Sequence, residues 1–215
     1  SWLANVAASC EKILQEIRNL QRSEIQEAGE GFDIKKQVGS STMAHKKNPI
    51  KSENASGLAR IVRSMIIPTY ENALLWHERD LANSSSERFT LSHGSALCED
   101  VINKTRQVLT NMWVDADRCL ENIKSQRGLV MAEKVMIELV EHGIPRDEAH
   151  EILRSASFEA VDKKIELIDV CSRTPEIAAA FSAEELEAMF DPMNHIGVSG
   201  EIVDEAVNLA RLAVQ

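Results

Sequence analysis

Apolar residues recur every three or four positions from the start of the chain, which is the spacing of one face of an α-helix. In the first twenty residues this pattern is carried by Leu3, Val6, Ala7, Cys10, Ile13, Leu14, Ile17 and Leu20. No segment alternates apolar and polar residues for long enough to predict a strand, and aromatic residues, which strands favour, are only 4% of the chain. We therefore predict an all-α protein. Because the helical pattern begins without a cap, we also expect the chain to be a piece of a longer protein.

The composition excludes several other classes of protein. The 215 residues carry a formal charge of −10, with 44% hydrophobic and 27% charged residues, as in ordinary globular proteins. No stretch without Asp, Glu, Lys or Arg exceeds ten residues, whereas a membrane-spanning helix needs about 20 apolar ones. The acidic balance argues against general nucleic-acid binding. The cysteines form no CxxC pair, so we expect reduced thiols in a cytoplasmic protein; they are Cys10, Cys98, Cys119 and Cys171.

A long loop interrupts the first half of the chain. The first helix is expected to end near Gly29, and residues 30–48 show no sustained periodicity. Asn48 and Pro49 predict the start of the next helix, because Asn is a favoured cap and Pro is favoured in the first turn. A loop of this length is unusual in a folded domain and is typical of functional segments.

Residues that typically begin or end helices predict two domains. Pro68 is expected to kink or break the second long helix, and another helix is expected to begin at Ser84, where residues 84–87 fit a capping box. Beyond Trp113 the helical segments become shorter, with boundaries at His142-Gly143-Ile144-Pro145, Thr174-Pro175 and Ser182-Ala183-Glu184-Glu185. We predict long bundle helices in residues 1–113, including the loop 30–48, and a smaller all-helical domain in residues 114–215.

The loop has the composition of an anion-binding segment. Residues 39–48 read Gly-Ser-Ser-Thr-Met-Ala-His-Lys-Lys-Asn and directly precede a predicted helix. The N–H groups and positive dipole end of that helix, together with Lys46 and Lys47, could hold an anion. A solvated loop with a good helix cap explains the same residues, so their chemistry alone leaves both interpretations open.

The same residues form a recognisable motif. Gly39-Ser40-Ser41-Thr42-Met43, followed by Lys46 and Asn48-Pro49, resembles the GSSxMPxKxNP signature of the fumarase/aspartase superfamily. Ala44 stands where the signature has Pro, which removes no functional group. Members of this superfamily eliminate fumarate from succinyl-bearing substrates. The resemblance implies a lyase built on a central helical bundle.

A second segment resembles one family within that superfamily. Residues 70–80 read Tyr-Glu-Asn-Ala-Leu-Leu-Trp-His-Glu-Arg-Asp and residues 84–88 read Ser-Ser-Ser-Glu-Arg, as in adenylosuccinate lyases. The resemblance covers essentially the whole chain and corresponds to about the C-terminal half of the usual family chain. It implies cleavage of adenylosuccinate to AMP and fumarate, and of the succinyl-carboxamide ribotide SAICAR to AICAR, in purine nucleotide biosynthesis.

The resemblance assigns roles to the signature loop. Ser40 is expected to be the catalytic base, which requires activation because a serine hydroxyl is a poor base. Lys46 and Asn48 are expected to hold the substrate carboxylate, and Ser41 and Met43 to add further substrate contacts. Lys46 and the helix N-terminus are the expected sources of the stabilising field.

Two residues early in the following helix are also candidates. By resemblance, Glu53 orients the general-acid histidine and Asn54 contacts the substrate. A glutamate near a helix N-terminus is also favourable for electrostatic reasons alone, so a purely structural role for Glu53 stays open.

The second segment is expected to bind the nucleotide phosphate. Arg79, Ser84 and Arg88 match the phosphate-binding residues of the family, and arginine suits bidentate contact with phosphate. Ser84 and Arg88 are four residues apart, which places them on the same side of a helix. The alternative is a capping box flanked by surface arginines that pair with Glu78 and Glu87.

The resemblance also implies an assembly. The family forms homotetramers whose active sites combine residues from three subunits. None of the six histidines matches the general acid, which we expect outside this chain, so the 215-residue chain alone is expected to be inactive or nearly so. No metal cluster or dinucleotide fingerprint is present in the sequence, and we expect no cofactor.

Two other functions remain open. One is a different member of the superfamily, of the argininosuccinate lyase or carboxymuconate cycloisomerase type, in which a nucleotide-phosphate site has no purpose. The other is a non-catalytic helical oligomerisation module. The intact Ser40, Lys46 and Asn48 argue against the second.

Overall fold

Helices dominate the part of the chain that the computed structural model describes, which is residues 1–31 and 46–214. These residues divide into two units, Ser1–Cys119 and Leu120–Gln215. The prediction of an all-α fold is confirmed. The predicted domain boundary after residue 113 falls just beyond the helix that ends at Asn111, whereas the two units divide a few residues later, after Cys119.

Three helices form the core of the first unit. They are α1 (Trp2–Leu20), α2 (Ile50–Ser64) and α4 (Ala82–Asn111), with the short α3 (Ile66–Glu71) between the last two. Their buried residues form two apolar clusters, made of Ala7, Ala59, Val62, Cys98 and Val101, and of Leu14, Ile17, Ala55 and Val108. Small residues on α2 let the helices approach closely, while the larger α1 and α4 side chains fill the space between them.

The first helix is shorter than predicted. It ends at Leu20 rather than near Gly29 because the chain then turns through residues 21–27, where Gln26 has a φ of +56°. The turn leads into β1 (Ala28–Gly29), which pairs antiparallel with β2 (Trp113–Val114). The turn also carries the chain back to the end of α4, which the helical periodicity could not indicate.

The predicted break at Pro68 is confirmed. α2 ends at Ser64, four residues before Pro68, and α3 then begins at Ile66. A proline ring clashes with the carbonyl four residues earlier, which is that of Ser64. The break therefore comes one turn before the proline that causes it.

The second unit is built from short helices around one apolar core. After α5 (Ala116–Ser125), which spans the division between the units, the helices are α6 (Ala132–Glu141), α7 (Arg146–Lys163), α8 (Leu167–Cys171), α9 (Pro175–Ala180), α10 (Ala183–Phe190) and α11 (Ser199–Ala213). The core includes Val135, Leu139, Leu153, Leu167 and Ile177. Ser182 and Glu185 form a capping box at the start of α10, which confirms that predicted helix start.

The core of the second unit also contains Cys171. This thiol is fully buried, and burial raises its pKa from 9.0 to about 12. We expect iodoacetamide at pH 8 to alkylate the half-buried Cys119 in the native protein and to leave Cys171 unmodified, as peptide mass spectrometry would show. In urea both cysteines should react, and equal alkylation rates of Cys119 and Cys171 in the native state would contradict this prediction.

The raised pKa of Cys171 also makes stability depend on pH. Above pH 9 the thiol of the unfolded chain ionises and the thiol of the folded chain does not, so the free energy of unfolding falls.

None of the described helices combines the length and the apolar character that crossing a bilayer requires.

Candidate active site

The start of α2 presents several of the predicted site residues. α2 begins at Ile50, immediately after Pro49 and one residue later than predicted. Lys46 is exposed and Asn48 is half-buried just before it. Ser40, Ser41 and Met43, with most of the loop 30–48, lie outside the described residues, so their predicted roles stay predictions.

A buried glutamate occupies the N-terminus of α2. Glu30 is only 3% exposed, and its carboxylate accepts hydrogen bonds from the backbone N–H of Lys51 (3.1 Å) and of Ser52 (3.0 Å). The Ser52 hydroxyl donates a third, at 2.9 Å. These backbone groups are donors that a helix leaves unpaired at its first turn. These two amides are therefore not free to bind a substrate anion, because they already donate to Glu30.

This arrangement changes the electrostatics expected for the catalytic base. The negative charge of a carboxylate at the helix N-terminus partly neutralises the positive end of the helix dipole. The helix start therefore contributes less positive potential to its surroundings than it would without Glu30. Lys46 and Lys47, both exposed beside the helix start, supply the positive charge there.

Gln21 joins the two chain segments that meet at this point. Its side-chain oxygen accepts from the Glu30 backbone N–H at 2.8 Å, and its side-chain nitrogen donates to the Lys47 backbone carbonyl at 2.9 Å. Glu30 and Lys47 precede and follow the gap in the described residues. One amide side chain thus ties both of them to the end of α1.

The residues on either side of Glu30 leave no room for a side chain. A Cβ on Gly29 would lie 2.6 Å from the Trp113 ring, and a Cβ on Gly31 would lie 2.1 Å from the Asn111 backbone oxygen. Such distances are far below van der Waals contact, so both positions require glycine. The backbone on either side of Glu30 therefore packs tightly, at Gly29 against Trp113 of β2 and at Gly31 against Asn111 at the end of α4.

Glu53 and Asn54 are exposed on the first turns of α2. Glu53 borders a groove of about 410 Å³ whose other lining residues are Gln15, Arg18, Asn19, Gln21, Arg22, Lys47 and Pro49. Among the residues that the structure describes, no histidine lines this groove. Arg18, Arg22 and Lys47 line this groove together with Glu53, whose predicted role in orienting a histidine stays a prediction.

The predicted capping box at Ser84 is absent. α4 begins at Ala82, so Ser84 lies within its first turn, and the Glu87 carboxylate accepts from the Asn83 side chain instead. The helix is capped by Asp80, which accepts from the backbone N–H of Ala82 at 2.9 Å.

Asp80 also fixes the segment that carries Arg79. Its second oxygen accepts from the Trp76 backbone N–H at 3.1 Å, across a turn in which His77 has a φ of +49°. The bonds from Ala82 and then Trp76 hold the pKa of the Asp80 carboxyl below its usual value. Asp80 is therefore ionised at neutral pH, and it shapes the turn on which Arg79 lies.

The predicted phosphate-binding residues lie close together along the chain at the start of α4. Arg79 and Arg88 are exposed and Ser84 is half-buried. Neither arginine forms a salt bridge with another described residue, so the alternative of pairing with Glu78 and Glu87 is not realised there.

The predicted carboxylate-binding residues and the predicted phosphate-binding residues lie at opposite ends of α2. A Cβ on Gly94 of α4 would lie 3.3 Å from Met65, just past the end of α2, whereas Asn111 of α4 contacts Gly31 near its start. α4 therefore runs antiparallel to α2, and Arg88 lies beyond the Met65 end. At about 1.5 Å per residue, the 15 residues of α2 span about 22 Å. One chain does not bring Lys46 and Asn48 together with Arg79 and Arg88.

Sequence reasoning missed Glu30, Gln21 and Asp80. Glu30 stands between two glycines at the start of the loop 30–48, a pattern that indicates a constrained backbone but does not indicate the helix that Glu30 caps. Among the described residues, no group of three or more His, Cys, Asp or Glu side chains converges on a position where a metal ion would bind.

Comparison with known proteins gives consistent matches. Residues 1–64 match a family model described as "Lyase", and residues 128–206 match one described as "Adenylosuccinate lyase C-terminus". Adenylosuccinate lyases from Archaeoglobus fulgidus and Methanothermobacter thermautotrophicus are each 42% identical, over 96% and 95% of this chain. The chain spans about half the length of these curated relatives, 46% of each.

Two solved structures share the fold. A 3-carboxy-cis,cis-muconate lactonizing enzyme from Pseudomonas putida superposes with a TM-score of 0.84 at 30% identity, over 96% of this chain and 45% of that one. A fumarate lyase from Mesorhizobium sp. BNC1 gives a TM-score of 0.84 at 29% identity, with the same coverage.

The fold and these matches are those of helical-bundle lyases, and the sequence carries the signature residues that resemble those of the fumarase/aspartase superfamily. Its sequence is more similar to the curated adenylosuccinate lyases than to the muconate-lactonizing and fumarate lyase structures. Over 95–96% of its length the chain is similar to part of these adenylosuccinate lyases, and residues 128–206 match the family model of their C-terminus.

Proposed function

We propose that the protein containing this chain cleaves adenylosuccinate to AMP and fumarate, and SAICAR to AICAR and fumarate, in the cytoplasm. The observation that carries this proposal is the 42% identity to adenylosuccinate lyases over 96% of the chain. That span includes both the signature residues and the three predicted phosphate-binding residues.

The proposed chemistry is a β-elimination. Ser40, once ionised, removes a proton from the carbon next to a substrate carboxylate, and the electron pair moves into that carboxylate as an aci-carboxylate. Lys46 and Asn48 stabilise this doubly charged group by a positive charge and a hydrogen bond placed where the charge develops. The C–N bond then breaks and a general acid protonates the departing nitrogen, which yields fumarate and the amine.

The second group of residues is proposed to select the nucleotide. Arg79 and Arg88 are exposed at the start of α4, without salt bridges to described residues, and their guanidinium groups suit the phosphate oxygens. A carboxymuconate cycloisomerase or argininosuccinate lyase acts on a substrate without this phosphate. The arginines therefore favour adenylosuccinate over those alternatives.

The separation of the two groups supports a shared active site. The carboxylate-binding and phosphate-binding residues lie at opposite ends of α2, about 22 Å apart along its axis, which is longer than one nucleotide substrate can bridge in a compact pose. We propose that a second copy of the chain, in a homotetramer, supplies the missing end of each site.

The function can be tested directly on the longest natural form of the protein. Purified protein is mixed with adenylosuccinate, and the loss of the succinyl-purine is followed by ultraviolet absorbance, with AMP and fumarate identified by chromatography. Cleavage supports the proposal. Failure to cleave adenylosuccinate and SAICAR, together with turnover of a carboxymuconate or argininosuccinate, would replace it with the alternative.

The 215-residue chain by itself is expected to show little or no cleavage in the same assay. By family resemblance the general acid is a histidine outside this chain, and loss of general acid catalysis costs about 10²–10⁴-fold. The longer form is the control. Equal specific activity of the two would show that the chain contains its own general acid.

A further inference from the structure

Glu30 is a buried acid to which the proposed reaction assigns no role. Its carboxylate is 3% exposed, and its described hydrogen-bond donors are the backbone N–H groups of Lys51 and Ser52 and the Ser52 hydroxyl. No salt bridge joins it to a described basic side chain. A charge in such surroundings is costly unless it is fully hydrogen-bonded, so its position requires an explanation.

We propose that Glu30 is a positioning residue of the active site, which fixes the first turn of α2 so that Lys46 and Asn48 are held at the substrate carboxylate. This inference rests on the proposed function. Glu30 itself does not contact the substrate; it acts through the helix start that follows Asn48.

The bonding pattern suits this role because each oxygen of the carboxylate has its own backbone partner. Oε1 accepts from Lys51, while Oε2 accepts from Ser52. Two bonds to successive backbone N–H groups restrain both the rotation of the first turn about the helix axis and its position along that axis. Glu53 follows directly, and the Pro49 carbonyl accepts from the Glu53 N–H at 2.9 Å. A shift of the first turn would therefore move the residues on both sides of it.

Glu30 is itself held rigidly. Gly29 and Gly31 on either side make close approaches to Trp113 and to the Asn111 backbone. The Glu30 N–H donates to Gln21, whose side-chain amide also holds the Lys47 carbonyl, one residue from Lys46 and from Asn48. Two independent connections thus lead from Glu30 to the carboxylate-binding residues, one through α2 and one through Gln21.

Glu30→Gln is the sharpest substitution for the test. It keeps the size of the side chain but replaces one acceptor oxygen by an NH₂ donor, which then faces a backbone N–H. Ser52→Ala is the milder variant, because it removes only the hydroxyl donor. Ser56→Ala is the matched control: Ser56 is equally buried one turn further along α2, and its hydroxyl donates to the Ser52 carbonyl at 2.7 Å without touching Glu30.

The variants are compared in the longest natural form of the protein, well below their melting temperatures. We expect kcat for adenylosuccinate to fall about 10- to 100-fold in Glu30→Gln, with a smaller change in KM, because misplacement of about 1 Å affects the transition state most. Ser52→Ala should lower kcat less, and Ser56→Ala should leave it unchanged even if its melting temperature drops. A kcat in Glu30→Gln equal to that of the Ser56→Ala control would overturn the proposal.

Amide hydrogen exchange gives a readout that does not depend on activity. Exchange at Lys51 and Ser52 should accelerate in Glu30→Gln and not in Ser56→Ala. If the unaltered protein does not cleave adenylosuccinate, the proposed function fails, and exchange alone then decides whether Glu30 anchors the helix start. If Glu30→Gln does not fold, Ser52→Ala decides: reduced kcat with faster exchange supports positioning, and unchanged values contradict it.

Discussion

Adenylosuccinate cleavage is expected to fall about 10²–10⁴-fold in kcat when Ser40 is replaced by alanine in the longest natural form of the protein. In the proposed mechanism, alanine cannot accept the proton from the carbon next to the carboxylate, whereas the proposed carboxylate-binding residues Lys46 and Asn48 are unchanged. We therefore expect KM to change little. Steady-state kinetics, followed by ultraviolet absorbance, measure both values.

Ser64→Ala is the control for this substitution. Ser64 is an exposed serine at the end of α2, and its hydroxyl donates only to the Ile61 carbonyl at 2.7 Å among the described residues. It should retain the parent kcat. A Ser40→Ala protein with more than about a tenth of parental activity would show that another group is the base, since a general base contributes at least about 10²-fold.

The double variant Arg79→Gln, Arg88→Gln is expected to lose about 10²–10⁴-fold in kcat/KM for adenylosuccinate. Each guanidinium–phosphate interaction contributes about 1.5–3 kcal/mol, which corresponds to about 10- to 100-fold. The loss should nearly vanish for succinyladenosine, which lacks the phosphate. The comparison of the two substrates thus isolates the phosphate contact from any general damage to the enzyme.

Arg106→Gln is the matched control, because Arg106 is an exposed arginine further along the same helix. It should leave both substrates unaffected. An equal loss for adenylosuccinate and succinyladenosine in the double variant would instead assign the arginines a structural role.

The two inactive variants also test the shared site. When Ser40→Ala subunits and Arg79→Gln, Arg88→Gln subunits are co-expressed with different tags, mixed oligomers should regain activity, because some sites then combine an intact base with an intact phosphate-binding group. Purified mixed oligomers that stay inactive would indicate that both groups of one site come from one chain.

Local sequence signals predicted much of the helical framework. The break caused by Pro68, the helix starts after Asn48-Pro49 and Thr174, and the capping box at Ser182 follow from interactions within a few residues. Such interactions can be predicted from the local sequence, because all the residues involved lie within a few positions of one another. The helix start near Ser84 was placed two residues late because Asp80, and not a serine, provides the cap.

The remaining features depend on residues far apart in the sequence. The turn after α1 leads to β1, whose partner β2 lies more than eighty residues later, and the cap on α2 comes from Glu30, more than twenty residues before Ser52. A helical-periodicity argument contains no information about such partners. The signature motif indicated the chemistry of the site but not the carboxylate that holds its helix start.

The pairing between β1 and β2 has a consequence for how the first unit assembles. The Arg118 side chain donates to the Ile25 carbonyl at 3.0 Å, and these residues are 93 positions apart in the sequence. Contacts within each helix form early, whereas a contact this distant must first close a long stretch of chain, at an entropic cost. Glu30 directly follows β1, so we expect the carboxylate-binding end of the bundle to be completed late in folding.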